Sequence, residues 1–134
     1  MPGKIYLINV GANASHRFAS PVFQDGRFEF LPIPEDRNLP EPHGIKYRDL
    51  RSHYDTAQYQ TRYVPPGLWD QSAHADPEFD TFTYGDNCAV SPRAASLRKV
   101  ERGDFLFFIA RVERWVGDRP TAMFGFCLIG FLEV

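Results

Sequence analysis

Two cysteines among 134 residues, no long apolar run and no surplus of positive charge are the first things the chain does without. Cys88 and Cys127 stand 39 positions apart with no metal-ligand spacing, so neither a disulfide framework nor a zinc site is expected. Both lie among apolar or small residues and read as buried free thiols. The only N-terminal apolar run, "IYLINV", is too short for a signal-peptide core or a membrane span, which leaves the cytoplasm as the expected compartment and no membrane as partner. A formal net charge of -2 argues against coating nucleic acid by bulk electrostatics, although it leaves room for a local basic patch. The phosphate-cradling signatures G-x-x-x-x-G-K-[ST] and G-x-G-x-x-G are absent, and so is the nucleophile elbow G-x-S-x-G. A nucleotide-binding fold of the usual kind and a serine hydrolase are thereby set aside.

What is present is ample. The hydrophobic share is 43% and the aromatic share 15%, enough for a core without staples, and the length fits a single domain over 1–134. "KIYLINVG" reads as a first, buried strand closed by Gly11. Asp25-Gly26 is a turn ahead of "GRFEFLPI", where Phe28, Phe30 and Ile33 alternate with polar or small residues. Pro32 and Pro34 cannot donate to a ladder, so that strand ends early or runs along an edge, letting Glu35 and Asp36 turn away from the sheet.

The middle of the chain, Glu35 to Thr83, is Pro-rich and irregular, with one short helix expected where Tyr47, Leu50 and Tyr54 share a face. Long stretches of this kind inside a compact domain are usually functional, and their aromatics argue against disorder. "SPRAASLRKV" opens on Ser91 and Pro92 as a helix should. Gly103-Asp104 then leads into "FLFFIARVERW", a central strand, and "AMFGFCLIGFLEV" returns antiparallel with Gly125 and Gly130 marking bulges or bends. The expected class is α+β: a small curled β-sheet or a PUA-like β-barrel with short helices at the rim.

Chemistry-bearing residues concentrate in the irregular parts. His74, Asp76 and Glu78 alternate along "HADPEF" and would share one face in an extended segment. That spacing matches no metal signature, so no metal or other cofactor is expected. Ser15, His16 and Ser20 put two hydroxyls and an imidazole just after the first strand. Arg93, in the first turn of the Ser91 helix, opposes the helix dipole and needs either solvent or an anion. Phe105, Phe107, Phe108, Phe124, Phe126 and Phe131 lie on strong strands and are assigned to the core. Phe23, Tyr47, Trp69, Phe79, Phe82 and Tyr84 lie beside polar groups in loops, where they either seal the loops or sandwich a planar base.

Two resemblances rest on these residues. "LRKVERGDFLFFIARVERW" followed by "FGFCLIGFLEV" is similar to the closing segment of the PUA/ASCH/EVE-like superfamily. Across most of the chain, "SPVFQDGRFEFLPIPED", "HADPEF", "YGDN…PRAASL" and "VERGDFLFFIAR" follow the order of the nucleotide modification-associated domain 3 family, which the chain resembles. The matched positions are Ser20, Pro21, Phe23, Asp25 and Gly26, then Leu31 to Glu35, then His74, Asp76, Pro77 and Glu78, then Ala94 and Ala95. The resemblance implies a place in a nucleic-acid modification or phage-defence system. Its expected form is a binding module whose loops hold a modified base or nucleotide. Arg17, Arg27, Arg48 and Arg93 would meet phosphate, Asp25, Glu35, Asp36, Asp76 and Glu78 would accept hydrogen bonds, and Phe23, Phe79 and Tyr84 would stack. The alternative is an enzyme using His74 with Asp76, Glu78 or Glu35 as general acid and base. A third reading is a domain whose loops dock a protein partner.

Overall fold

A computed structural model of the chain describes residues 2–36, 44–74, 76–85 and 92–134, with the side chain of Arg93 outside the description. Asp86, Cys88 and Ser91 likewise lie outside the described residues. The architecture is built on one long hairpin. Strand β5 (Phe105–Val116) and strand β6 (Arg119–Glu133) pair antiparallel along almost their full length. They are joined by the two-residue loop Gly117–Asp118, with Gly117 at φ +61°, the glycine-first loop whose backbone suits strand twist. Strand β1 (Ile5–Val10) runs parallel to the first half of β5, and β2 (Ser20–Val22) runs parallel to its second half. Because β6 occupies one edge of β5 throughout, β1 and β2 follow one another along the other.

The central placement of β5 comes from its sequence. Leu106, Phe108, Ala110 and Val112 alternate inward and are buried, as a period of two requires. The register of β6 slips opposite Phe108/Ile109, beside Gly130, where a Cβ would lie 2.6 Å from the ring of Phe79. The expected bulge at Gly130 is therefore present, whereas Gly125 pairs in register with Val112. The Gly103–Asp104 turn ties three elements together. The Asp104 carboxylate accepts from the Lys4 N–H (2.7 Å) and the Glu101 N–H (2.9 Å), and the Gly103 N–H donates to the Val134 carbonyl.

One face of this sheet is covered. Val10, Leu106, Phe108 and Leu132 form its core, packed by Phe79, Tyr84, Leu97 and Val100. A second core of Phe18, Leu31, Tyr47, Val64 and Ala73 lies under the irregular middle, whose backbone is fastened by 3₁₀ turns at Tyr47–Asp49, Gln60–Tyr63 and Pro66–Leu68. The segment Pro92–Lys99 is also 3₁₀. Its inward residues Ala94 and Leu97, like Val100 after it, recur every three positions, the period at which 3₁₀ side chains eclipse.

Several expectations need correcting. The sheet is open, with no closure into a barrel among the described residues, and the class is mostly strand. β1 is not a buried strand: Ile5 and Leu7 face solvent. The helix expected around Tyr47 is a single 3₁₀ turn, because the chain becomes extended at Leu50 and Tyr54 is left exposed. "GRFEFLPI" is not a continuous strand. Phe28 bridges Val22, Glu29 bonds back to Pro21, and only β3 (Ile33–Pro34) forms, pairing antiparallel with β4 (Ala73–His74).

The strand aromatics depart from the core role expected of them, and several loop aromatics take the sealing role. Of the six strand phenylalanines only Phe108 is fully buried, while Phe124, Phe126 and Phe131 are exposed and Phe105 and Phe107 are partly so. Of the loop aromatics, Tyr47 is fully buried, Phe79 packs on Phe108, and Trp69 donates its indole N–H to the Val64 carbonyl.

Candidate functional site

The pairing of β3 with β4 brings "LPIP" and "HADP" side by side, with Ile33 opposite His74 and Pro34 opposite Ala73. Strand alternation then sends Ala73 into the core and His74 outward. The His74 Nε2 lies 3.0 Å from Asp76 Oδ2, so an Nε2–H donates to that carboxylate and the other ring nitrogen stays available to a ligand.

This pair forms part of the wall of a cleft of about 960 Å³. The opposite wall is the outer edge of β1, Leu7 to Val10, together with Asn13 and Ser15 of the loop after it. Among the described residues β1 has no strand on that edge, so backbone donors and acceptors of β1 face the cleft. Tyr84 and Leu97 supply apolar lining, and Arg111 with Phe126 border the cleft from the far side of the sheet. The Arg111 guanidinium sits 3.9 Å from the Phe124 ring centroid, which fixes a positive charge on an aromatic surface.

Local structure explains the loop. Asn13 Oδ1 accepts from both the N–H and the hydroxyl of Ser15, and the Asn13 N–H donates to His16 Nδ1. Burial holds the His16 imidazole below its usual value of 6.5, consistent with an unprotonated Nδ1 acting as acceptor. Gly11, at φ +77°, lets the backbone pass within van der Waals reach of Phe30.

Of the residues singled out from sequence, Ser15, His74, Asp76 and Tyr84 line the cleft. Arg93 lies outside the described side chains, and the others do not line it. Ser20 is buried and accepts from the Leu31 N–H. Phe23 packs on Tyr63, and Phe79 belongs to the sheet core. Asp25 pairs with Arg27 in a surface turn, where two hydrogen bonds from Arg27 hold the carboxyl below the usual aspartate range. Arg48 pairs with Asp70 and Arg17 is exposed. Glu35 is buried and accepts from the Gly44 N–H. Asp36 is exposed on the chain leaving β3. Glu78 accepts from Thr81 within its own small turn and does not line the cleft. His74, Asp76 and Glu78 therefore do not converge, and among the described residues no group of three His, Cys, Asp or Glu side chains could hold a metal.

Asn9, Asn13 and Arg111 line the cleft without having been singled out. Their signal is a lone polar residue interrupting, or directly following, an apolar strand: Asn9 in "IYLINV" and Arg111 in "FLFFIARV". Buried Glu29 was also missed; it accepts from the Ser52 hydroxyl, the His53 N–H (3.0 Å) and the Gln60 amide (2.9 Å), anchoring the irregular middle.

No helix among the described residues is long and apolar enough to cross a membrane. A family model described as "nucleotide modification associated domain 3" matches residues 4–134. No curated protein and no solved structure matches the chain.

Proposed function

The chain belongs to the nucleotide modification associated domain 3 family, and from that premise we propose that it is a binding module for a modified base or nucleotide, seated in the cleft beside β1. The observation that carries this reading is the His74–Asp76 pair beside a cleft with apolar lining that also includes β1, an edge strand among the described residues. Recognition of a base needs three things. A flat apolar contact comes from Tyr84 or Phe126, in-plane donors and acceptors come from the β1 backbone with Asn9, Asn13 and His74, and a cation for phosphate comes from Arg111. The cleft is large enough for a nucleotide with some water retained.

The test is titration of modified and unmodified nucleoside monophosphates and short oligonucleotides by calorimetry. The reading expects one modified form to bind at least about tenfold tighter than its parent base, and His74→Ala to remove that preference. Equal failure with every ligand, independent of salt, would sink it.

A second reading has one observation in its favour. The 3.0 Å contact between His74 and Asp76 is the geometry of an oriented general acid or base, so an enzyme acting on a nucleotide or base would use that pair. Glu35 and Glu78 are committed to structural bonds and take no part in it. Product formation from a candidate nucleotide, abolished in His74→Ala and in Asp76→Asn, distinguishes the enzyme from the reader.

A further inference from the structure

The outer face of the sheet is mainly apolar, with Asn9, Arg111, Glu113 and Glu133 among its rows, and nothing described in the chain covers it. Its rows are Ile5 and Leu7 on β1, Phe105, Phe107 and Ile109 on β5, and Phe131, Leu128, Phe126 and Phe124 on β6, placed opposite one another by the strand register. Six of these, Ile5, Leu7, Phe124, Phe126, Leu128 and Phe131, are between 49% and 66% exposed. The rings are already ordered: Phe107 stacks on Phe131 at 5.3 Å, and Phe105 lies 6.4 Å from it. Continuous exposed apolar patches of this size mark interaction sites.

We propose that this face packs against the same face of a second copy of the chain, forming a two-fold dimer. Area favours it. Half-exposed side chains of this kind leave roughly 100 Å² each, so these six offer about 600 Å², and the less exposed Phe105, Phe107 and Ile109 bring the face towards one partner's share of a standard interface, about 800 Å². Charge favours it over the competing occupant, a nucleic-acid strand stacked on the rings. The rows carry one cation, Arg111, against Glu113 and Glu133, whereas strand-binding platforms sit in positive grooves. Leu7, Arg111 and Phe126 belong to both the face and the cleft, so the second copy borders the mouth of the binding site.

The test is sedimentation velocity on the full chain over a concentration series reaching about 50 µM, well above a micromolar dissociation constant. The expected result is twice the monomer mass. Phe131→Asp and Phe126→Glu, at positions already in contact with water, should raise the dissociation constant at least about thirtyfold. Circular dichroism and melting temperature of the variants, unchanged, would show that they fold. A monomer at every concentration overturns the proposal, as does a dimer that both variants leave intact. Binding of single-stranded oligonucleotides that Phe131→Asp, outside the cleft, abolishes in a monomeric protein also overturns it, and hands the face to nucleic acid.

Discussion

Replacing Glu29 tests how the irregular middle of the chain is held. Its carboxylate is almost fully buried and accepts three hydrogen bonds: Ser52 Oγ–H on one oxygen, and the His53 N–H and Gln60 amide on the other. Gln60 is itself buried, and its own N–H closes the loop onto the Leu50 carbonyl. Glu29→Ala strands all three donors, the Gln60 amide fully buried and the other two partly so, at about 1–3 kcal/mol for the buried orphan and less for the others. Adding the small cavity, the loss should be roughly 3–5 kcal/mol. Glu29→Gln should cost less, about 1–2 kcal/mol, for a specific reason. The serine hydroxyl can reverse and accept from the new amide, whereas the His53 and Gln60 donors cannot, so only one orientation of the amide satisfies all three. Urea unfolding at neutral pH, read as a midpoint shift at constant slope, measures both. An alanine variant within about 1 kcal/mol of the parent, or a glutamine variant as damaged as alanine, would refute the reasoning.

Three further outcomes follow from single contacts. Gly11→Ala would place a Cβ 2.6 Å from the Phe30 ring at φ +77°, and thermal melts should show a loss of roughly 2–4 kcal/mol. The buried Tyr47 hydroxyl donates to the Pro32 carbonyl at 2.6 Å, and burial pushes its ionisation well above the ordinary value. Tyr47→Phe should therefore cost about 1–2 kcal/mol in urea, with ring packing against Phe18 retained. Hydrogen bonds from the Lys4 and Glu101 N–H groups hold the Asp104 carboxyl below its usual 3.8. A depressed folded value contributes stability above the unfolded value that is lost as pH falls through the folded one, so Asp104→Asn should flatten the acid limb of an unfolding-versus-pH curve below about pH 4.

Much of the frame was legible in the residues. The β5–β6 hairpin announced itself through a long apolar run, a Gly-Asp turn and a second run of the same kind. The Gly103–Asp104 turn and the bulge beside Gly130 were read from glycines where they occur. The prolines misled in detail: β3 contains Pro34 instead of ending before it, and the buried Glu35 keeps its N–H on the Ser72 carbonyl instead of turning away. What periodicity could not show was which face of β5 would be covered. Phe105, Phe107 and Phe108 look equivalent in sequence, and only the packing of Phe79, Tyr84 and Leu97 makes Phe108 the core residue. The Tyr47 helix failed for a related reason: Leu50 and Tyr47 are held by the second core and by the bond to Pro32, which override helix propensity. Among the site residues, the His74–Asp76 contact follows from their spacing in "HADP". Glu78, one step further, is drawn into a local turn with Thr81 and Thr83, which spacing alone does not reveal. Arg27 and Arg48 looked free for phosphate because sequence does not show Asp25 and Asp70 beside them.

The most direct measurement of the central claim is a titration of the ¹⁵N-labelled chain with a modified nucleoside monophosphate, followed by amide shifts. Binding in the cleft predicts saturable shifts at Leu7 to Val10, Ser15, His74, Asp76, Tyr84 and Arg111, all lost in His74→Ala. Shifts gathered instead around Arg27 and Arg48, or none at any concentration, would contradict it.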